Sequence, residues 1–194
     1  MLTAIIVAGG SSQRMGFDKT LALLGGKPVL AHSIIAFERT AAVSEIILVG
    51  RTENLPALEE IVRTGEFRKV AAVIAGGARR QDSVRAGLAQ LSQKSEFVAV
   101  HDAARPLVTP ELIECIFARA RQHGGAVSAA PVTDTLKRVS REHFVTGGVD
   151  RADLFAVQTP QIFARALLEK AYAALLADNV EVTDGISAVE RGGG

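Results

Sequence analysis

The sequence predicts a doubly wound α/β domain, in which a mostly parallel sheet carries helices on both faces and a β-hairpin arm protrudes from it. Short apolar runs alternate with amphipathic stretches, the runs are apolar at nearly every position, and the alternation breaks once, at about residues 131–153. Continuous apolar runs are typical of strands buried on both faces, and parallel strands need helical crossovers. We therefore expect one domain over residues 1–194 with a single excursion.

The apolar runs are the predicted strands, and the amphipathic stretches are the predicted helices. In a helix over 28–40, Leu30, Ile34 and Phe37 recur on one face, as packing against a sheet requires. Asn54 is expected to cap a second helix, and Thr109 a later one that starts at Pro110. The predicted strands are 2–8, 45–49, 70–75, 97–100 and 126–130, and the other helical stretches are 54–63, 81–91 and 164–176.

The break in the pattern predicts the β-hairpin arm. Two short strand-like segments, 133–139 and 143–146, are separated by polar residues. Because a hairpin of this size cannot bury a core of its own, it must pack on another surface. We expect that surface to belong to a second subunit.

Composition excludes several classes of protein. Lys and Arg number 22 against 21 Asp and Glu, a formal charge of +1, so the basic excess of a nucleic-acid binder is missing. The single cysteine, Cys115, cannot close an intrachain disulfide or build a cysteine metal site. The apolar run at the N-terminus meets glycines after about eight residues, too few for a membrane span or signal peptide. We expect a cytoplasmic protein that acts on small molecules, with no nucleic-acid or membrane partner.

The loop after the first strand has the composition of a phosphate-binding loop. Its sequence, AGGSSQRMGFDK at 8–19, combines small residues with the guanidinium of Arg14 and the ammonium of Lys19. Small residues let backbone N–H groups close around an anion, and the two cations suit triphosphate oxygens. Ser12 breaks the dinucleotide fingerprint, and the GK[ST] ending of a P-loop is missing. A solvated glycine turn stays open as the alternative.

The segment HDAARP at 101–106 offers a metal ligand at the end of the fourth predicted strand. Ligands of α/β sheets bind beyond the carboxyl ends of strands, and Mg²⁺ takes one or two carboxylates together with phosphates and water. Asp102 is therefore the predicted Mg²⁺ ligand, and pairing with Arg105 is the alternative. His101 follows a buried strand, which favours a structural histidine over a general base.

A second glycine turn and the arm present further polar groups. In GGARRQDSV at 76–84, Ser83 and a helix N-terminus suit a base or ribose, whereas the arginines equally suit a solvated face. In the arm, DTLK at 134–137 and VDR at 149–151 contain hydroxyl and cationic groups that could bind a second anion. The alternative is an ordinary polar hairpin. Because no Ser/His/Asp set supports covalent catalysis, electrostatic catalysis fits better.

Six segments occur in this order along the chain: AGGSSQRMGFDK at 8–19, GGARRQDSV at 76–84, HDAARP at 101–106, APVTDTLKR at 130–138, VDR at 149–151 and QTPQIF at 158–163. Taken together, they resemble one family, the 2-C-methyl-D-erythritol 4-phosphate cytidylyltransferases of the non-mevalonate isoprenoid pathway. The last four separate this family from the broader nucleotidyltransferases, which share only the first loop. The resemblance implies a Rossmann-like nucleotidyltransferase fold, CTP as a substrate, Mg²⁺, transfer of CMP to methylerythritol phosphate, and a homodimer with exchanged arms.

The resemblance also implies a role for each matching residue. Arg14 and Lys19 become the catalytic residues, and Asp102 the Mg²⁺ ligand. Thr135 and Arg151 serve the neighbouring subunit, and Arg105 supports the Asp102 loop. The implied nucleotide-binding residues are Ala8, Gly9, Gly10, Gly77 and Ser83, the last two selecting cytosine. The implied substrate-binding residues are Arg105, Thr135, Lys137, Arg151, Thr159 and Thr183.

Three departures from the family pattern bear on function. The stretch from Arg14 to Lys19 is shorter than usual, and Thr20 follows Lys19 where glutamine is common. After Arg191 the printed sequence ends in glycines, so the family's second catalytic lysine is predicted to lie in a segment beyond it. Two alternatives stay open: a cytidylyltransferase for another polyol phosphate, such as ribitol 5-phosphate, and an inactive nucleotide-binding module. The broken fingerprint disfavours an NAD-dependent oxidoreductase.

Overall fold

The computed structural model describes residues 1–10, 16–178, 180, 182 and 184–191, and its strands form a six-stranded sheet and two small hairpins. Three of the five predicted strands lengthen by two or three residues, one keeps its bounds, and the first ends one residue early. The strands are β1 (Leu2–Val7), β2 (Leu23–Leu24), β3 (Lys27–Pro28), β4 (Val43–Gly50), β5 (Val70–Ala75), β6 (Phe97–Asp102), β7 (Gly125–Pro131), β8 (Lys137–Val139), β9 (Val145–Gly148) and β10 (Phe155–Ala164).

The large sheet has the order β5-β4-β1-β6-β10-β7. The first four strands of this order run parallel, and β10 runs antiparallel to both of its neighbours. The mostly parallel prediction is therefore confirmed. The sequence analysis does not predict β10, because Gln158, Thr159 and Pro160 interrupt its apolar pattern and proline is disfavoured inside a sheet. The pairing of β10 with β7 shifts register at that point, between Val157 and Gln161, and the Thr159–Pro160 peptide is cis.

The helices lie close to their predicted positions, but one predicted cap is wrong. Thr109 caps its helix by accepting the Leu112 N–H at 3.3 Å, as expected. The Asn54 side chain makes no capping bond to the following helix and bonds instead to the ends of neighbouring loops. The helices are α1 (Val29–Arg39), a 3-10 turn (Thr52–Asn54), α2 (Leu55–Gly65), α3 (Arg80–Leu88), α4 (Pro110–His123), α5 (Arg165–Ala177) and α6 (Gly185–Arg191).

The two halves of the core lie on opposite faces of the sheet. Along β1, Ala4 and Ile6 pack with α1, α2 and α4, whereas Ile5 packs with α3, α5 and α6. All three side chains are fully buried, and burying one isoleucine contributes about 1.5–3 kcal/mol. The edge strands β5 and β7 are mostly half-buried, so full burial of every strand is wrong at the two edges. The central strands thus form a rigid base for the loops at their ends.

The arm is the separate antiparallel hairpin β8–β9, which confirms the predicted excursion from the sheet. Val139 pairs with Val145 across it, and the two side chains are 56% and 66% exposed. Phe144 beside them is 73% exposed. Within the described ranges, none of the helices has the length and apolar character needed to cross a membrane.

Candidate active site

A cleft with a volume of about 1280 Å³ opens at the carboxyl ends of the four parallel strands. Gly9 follows β1 and Arg51 follows β4. Gly76 follows β5, and Asp102 ends β6. Because β1 lies between β4 and β6, and the connecting helices α1 and α3 pack on opposite faces, the cleft lies where the strand order reverses. Ligands of open α/β sheets bind at this position.

The walls of the cleft carry more positive than negative charge. Among the residues that the structure describes, four basic side chains contribute to the lining, and two carboxylates oppose them. A cleft with an excess of one charge concentrates ligands of the opposite charge, so this cleft favours an anion. The basic residues are Lys19, Arg51, Arg79 and Arg80, and the acidic residues are Glu53 and Asp102.

The predicted phosphate loop enters the cleft at both of its described ends. Gly9 and Gly10 line the cleft at one end, and Lys19 lines it at the other. Ala8 lies beneath them, fully buried, and its N–H donates to the Val49 carbonyl at 2.7 Å. Arg14 lies outside the described residues, so its role stays a prediction.

Asp18, next to Lys19, is held by three residues at the rim of the cleft. Its Oδ1 accepts the Thr20 N–H at 2.9 Å and the Thr20 hydroxyl at 2.6 Å. Its Oδ2 accepts Arg51 Nη2 at 2.9 Å and Asn54 Nδ2 at 3.2 Å. Burial raises the pKa of Asp18, but the bonds from Thr20, Asn54 and Arg51 outweigh burial and leave the pKa below its ordinary value. The carboxylate is therefore charged at neutral pH.

The turn from β5 into α3 leaves no room for a side chain at two glycine positions. A Cβ on Gly76 would overlap the Ser83 side chain, and a Cβ on Gly77 would overlap Asp82. Asp82 closes the turn by accepting the Arg79 N–H at 3.3 Å and its Nε at 2.9 Å. Ser83 is buried, and its hydroxyl donates to the Arg79 carbonyl at 3.3 Å. Gly77 and Ser83 thus form part of the cleft wall, and their role toward cytosine stays a prediction.

Asp102 is held between two arginines at the end of β6. Arg80 places Nε and Nη2 each 2.9 Å from Oδ1, and Arg105 Nε donates to Oδ2 at 3.3 Å. The alternative pairing with Arg105 is therefore present, and Arg80 is part of the cleft rather than of a solvated face. The Asp102 side chain is 32% exposed and lines the cleft, so it can still meet a ligand there.

The Asp102 carboxylate suits a magnesium ion whose other ligands are substrate phosphates and waters. Within the part of the chain that the structure describes, no three His, Cys, Asp or Glu side chains cluster as a metal site. Mg²⁺ does not need such a cluster, because substrate phosphates and waters complete its octahedron around one or two carboxylates. One carboxylate in a cleft that favours anions suits this chemistry.

His101 and Thr159 form a buried support beneath Asp102. Thr159 Oγ1 accepts the Asp102 N–H at 3.1 Å and lies 3.1 Å from His101 Nδ1. His101 Nε2 lies 3.2 Å from the Arg105 carbonyl, which can only accept, so Nε2 carries the proton and Nδ1 accepts from Thr159. Burial lowers the pKa of His101 to about 4, so the ring is neutral at pH 7. The interpretation of His101 as a structural residue is confirmed.

The predicted arm residues lie apart from this cleft. Thr135, Lys137 and Arg151 are exposed, and none of them lines it. The Arg151 guanidinium donates to the Thr133 carbonyl, which ties the two sides of the arm together. Thr183 lies outside the described residues. The assignment of these residues to a substrate site stays a prediction.

Two residues of the site, Arg51 and Asn54, are missed by the sequence analysis. Arg51 follows the end of β4, so the rule that identified Gly9 and Asp102 at strand ends could have identified it as well. Asn54 carries a capping signal that its structure does not use. Its side chain accepts the Arg51 N–H at 2.8 Å and donates to the Ala8 carbonyl at 3.1 Å.

Sequence comparison finds a match to one protein family over residues 2–194, the 2-C-methyl-D-erythritol 4-phosphate cytidylyltransferases. A relative of that name from Dehalococcoides mccartyi (strain CBDB1) is 41% identical over 189 residues, which cover 97% of this chain and 82% of the relative. Another, from Lachnospira eligens, is 39% identical over 197 residues and covers 100% of this chain and 86% of the relative.

Solved structures of similar fold bear the same kind of name. The 4-diphosphocytidyl-2C-methyl-D-erythritol synthase from Anaerococcus prevotii superposes with a TM-score of 0.84 at 29% identity, covering 97% of this chain and 81% of that one. The 2-C-methyl-D-erythritol 4-phosphate cytidylyltransferase from Thermus thermophilus gives a TM-score of 0.78 at 30% identity, covering 100% of this chain and 85% of that one.

Proposed function

The chain belongs to the 2-C-methyl-D-erythritol 4-phosphate cytidylyltransferase family, and from this premise we propose how its cleft and its arm share the reaction. The reaction transfers CMP from CTP to 2-C-methyl-D-erythritol 4-phosphate, releases pyrophosphate and serves isoprenoid precursor biosynthesis. The relatives do not favour a ribitol phosphate enzyme or an inactive binding module. The assignment of residues to steps is our own.

CTP binds in the cleft with its triphosphate against the first loop. The observation that carries this proposal is the convergence of Gly9, Gly10 and Lys19 with arginines from two other strand ends. Backbone N–H groups of a glycine loop and nearby cations are typical ligands of phosphate oxygens. Arg14, in the same loop, supplies a further guanidinium.

The cytosine lies against the second glycine turn. A Cβ on Gly9 would lie 3.5 Å from Ser83 Oγ, so the two loops are in contact where they line the cleft. Gly77 lies in the cleft wall, where a flat base can lie against the backbone of the turn. The Ser83 hydroxyl and the N-terminus of α3 supply polar contacts.

The chemistry is direct transfer between two phosphates. An oxygen of the substrate phosphate forms a bond to the α-phosphorus of CTP, the bond from that phosphorus to the bridging oxygen breaks, and pyrophosphate leaves with the electron pair. Lys19 and Arg14 stabilise the negative charge that develops on these oxygens. Asp102 would hold Mg²⁺ together with the phosphates, and the ion would supply further neutralisation of their charge. Arg80, Arg105 and Thr159 position Asp102.

The arm binds the second substrate in the cleft of a neighbouring subunit. Thr135, Lys137 and Arg151 present hydroxyl and cationic groups on the same excursion of the chain that exposes Val139 and Val145. An apolar pair left exposed on one chain supports a surface that a partner covers. The proposed assembly is a homodimer with exchanged arms, in which Thr183 completes the substrate site. The single cysteine supports a cytoplasmic location.

Pyrophosphate release tests the metal assignment. With CTP and methylerythritol phosphate, we expect release to stop in EDTA and to resume when Mg²⁺ is added. Asp102→Asn should raise the Mg²⁺ concentration for half-maximal rate by about tenfold or more. The control is Glu60→Gln, which removes an exposed carboxylate of α2 paired with Arg63. An Asp102→Asn enzyme with the Mg²⁺ dependence of the control would contradict the assignment, and faster release with ribitol 5-phosphate would contradict the substrate.

A further inference from the structure

We propose that Asp18 and Asn54 are positioning residues that close the ends of the phosphate loop and thereby fix Lys19 in the cleft. The inference rests on the proposed role of Lys19 toward the triphosphate. It adds to that role a physical reason why the ammonium group of Lys19, on a flexible side chain in a loop, is held at one position in the cleft.

Asn54 contacts both ends of the loop. Its Nδ2 donates to the Ala8 carbonyl, where the chain leaves β1, at 3.1 Å, and to Asp18 Oδ2, where the loop ends, at 3.2 Å. Its Oδ1 accepts the Arg51 N–H at 2.8 Å, which fixes the amide in orientation. The Asn54 residue is 5% exposed, so these bonds are shielded from water. The described ends of the loop are therefore joined through one buried amide.

Asp18 carries this connection to the residues on either side of Lys19. One carboxylate oxygen faces Asn54 and Arg51, and the other accepts both the N–H and the hydroxyl of Thr20. The Asp18 side chain is only 14% exposed, whereas Arg51 is 34% exposed and lines the cleft. Lys19 thus lies between Asp18, whose carboxylate bonds to Arg51 and Asn54, and Thr20, whose N–H that carboxylate accepts. Loss of the carboxylate removes these side-chain bonds and leaves two backbone bonds, from the Leu21 N–H to the Asp18 carbonyl at 3.2 Å and from the Leu30 N–H to the Thr20 carbonyl at 2.9 Å.

We expect loss of the Asp18 carboxylate to affect the turnover rate more than the binding of CTP. A catalytic group displaced by about 1 Å can cost about 100-fold in rate. We expect Asp18→Ala to lower kcat for pyrophosphate release by about 10- to 100-fold with a smaller change in KM for CTP. Asp18→Asn retains the shape and an oxygen that can accept from Thr20, but its NH2 group cannot accept from Arg51 or Asn54, so the decrease in kcat should be intermediate.

A double-mutant cycle with Lys19→Ala separates positioning from a direct or purely structural effect. Because Asp18 acts through Lys19, Asp18→Ala in the Lys19→Ala background should change kcat by no more than about twofold. The matched control is Glu38→Gln, whose carboxylate also holds a loop, accepting the N–H groups of Arg68 and Lys69 at 3.0 Å, away from the cleft. Its kcat should equal that of the parent chain.

The outcomes distinguish failure of the inference from failure of the proposed function. If Lys19→Ala retains full turnover, the proposed role of Lys19 is wrong and Asp18 positions nothing. If Lys19→Ala is impaired and Asp18→Ala reduces kcat by the same factor in both backgrounds, or in neither, the inference alone is overturned. Thermal unfolding of each variant gives the folded fraction, so that kcat refers to folded enzyme.

Discussion

The cleft and the arm differ in how far their side chains find partners within one chain. Around the cleft, Asp18, Asp82 and Asp102 each accept bonds from arginine, and buried His101 has partners for both ring nitrogens. In the arm, the substrate-binding candidates are exposed and so are the apolar side chains beside them. The described polar groups of the cleft are bonded within this chain, whereas those of the arm are mostly exposed, and under our proposal a neighbouring chain covers them.

We propose that this difference separates the binding of the two substrates. A preorganised cleft with an excess of cations suits the nucleotide, whose triphosphate brings most of the charge. An exposed arm suits a site that forms only when two chains meet, since its own chain does not bury it. Changes in the cleft should therefore act on the chemical step, and changes in the arm on binding of the polyol phosphate.

The largest expected effect compares one cation from each region. Lys19→Ala should lower kcat on the order of 10²- to 10³-fold, about 3 to 4 kcal/mol, because a stabilising charge in the transition state is lost. Arg151→Ala should mainly raise KM for methylerythritol phosphate and leave KM for CTP close to that of the parent. Steady-state kinetics with each substrate varied in turn measures both.

The comparison fails if the two variants share one pattern. A Lys19→Ala enzyme with parental kcat would remove the catalytic role of the cleft lysine. An Arg151→Ala enzyme that loses affinity for CTP as much as for the polyol phosphate would show that the arm does not serve the second substrate alone.

A somewhat smaller effect concerns acid stability and contrasts two histidines. The pKa of buried His101 is about 4 in the folded chain, against an ordinary value of 6.5. Between these pH values the unfolded chain binds a proton that the folded chain excludes. The contribution of His101 to the free energy of unfolding is therefore fully present above pH 6.5 and decreases as the pH falls toward 4. The loss is about 3 kcal/mol, and it is complete below about pH 4.

Denaturant unfolding at a series of pH values checks this prediction through its slope. His101→Asn should flatten the decline between pH 6.5 and 4, whatever it does to stability at pH 7. His143 of the arm is exposed and has a φ of 66°, a conformation that asparagine tolerates. His143→Asn should keep the parental slope, and an unchanged slope in His101→Asn would mean that another group carries the acid sensitivity.

Most of the fold follows from the sequence because periodicity reports burial. The central strands and the helices that pack on them appear in the pattern, since Ile5, Leu30 and Ile34 alternate or recur as their faces require. β10 does not, because its register shift at Pro160 has no periodic signature. The order of the strands and the antiparallel direction of β10 depend on contacts between distant segments, which local patterns do not encode.

The candidate site likewise contains residues that the sequence identifies and residues that it does not. Gly9, Lys19 and Asp102 follow predicted strands, so a general rule about strand ends identifies them. Asn54 carries a local signal for a helix cap, but the side-chain oxygen that would cap the helix accepts the Arg51 N–H instead, and the amide nitrogen donates to Asp18. The role of Arg80 depends on the spatial approach of α3 to β6, which the sequence does not show.

The exchange of arms between two chains is the central claim, and mixing two impaired variants tests it most directly when methylerythritol phosphate is kept far below the raised KM of Arg151→Ala. Lys19→Ala impairs the cleft of its own chain, whereas Arg151→Ala impairs the arm that serves the neighbour. If each site combines the cleft of one chain with the arm of the other, a mixed dimer has one intact site. Co-expression of the two variants should then restore roughly a quarter of parental pyrophosphate release. Activity no greater than the average of the two variants measured separately would contradict the account.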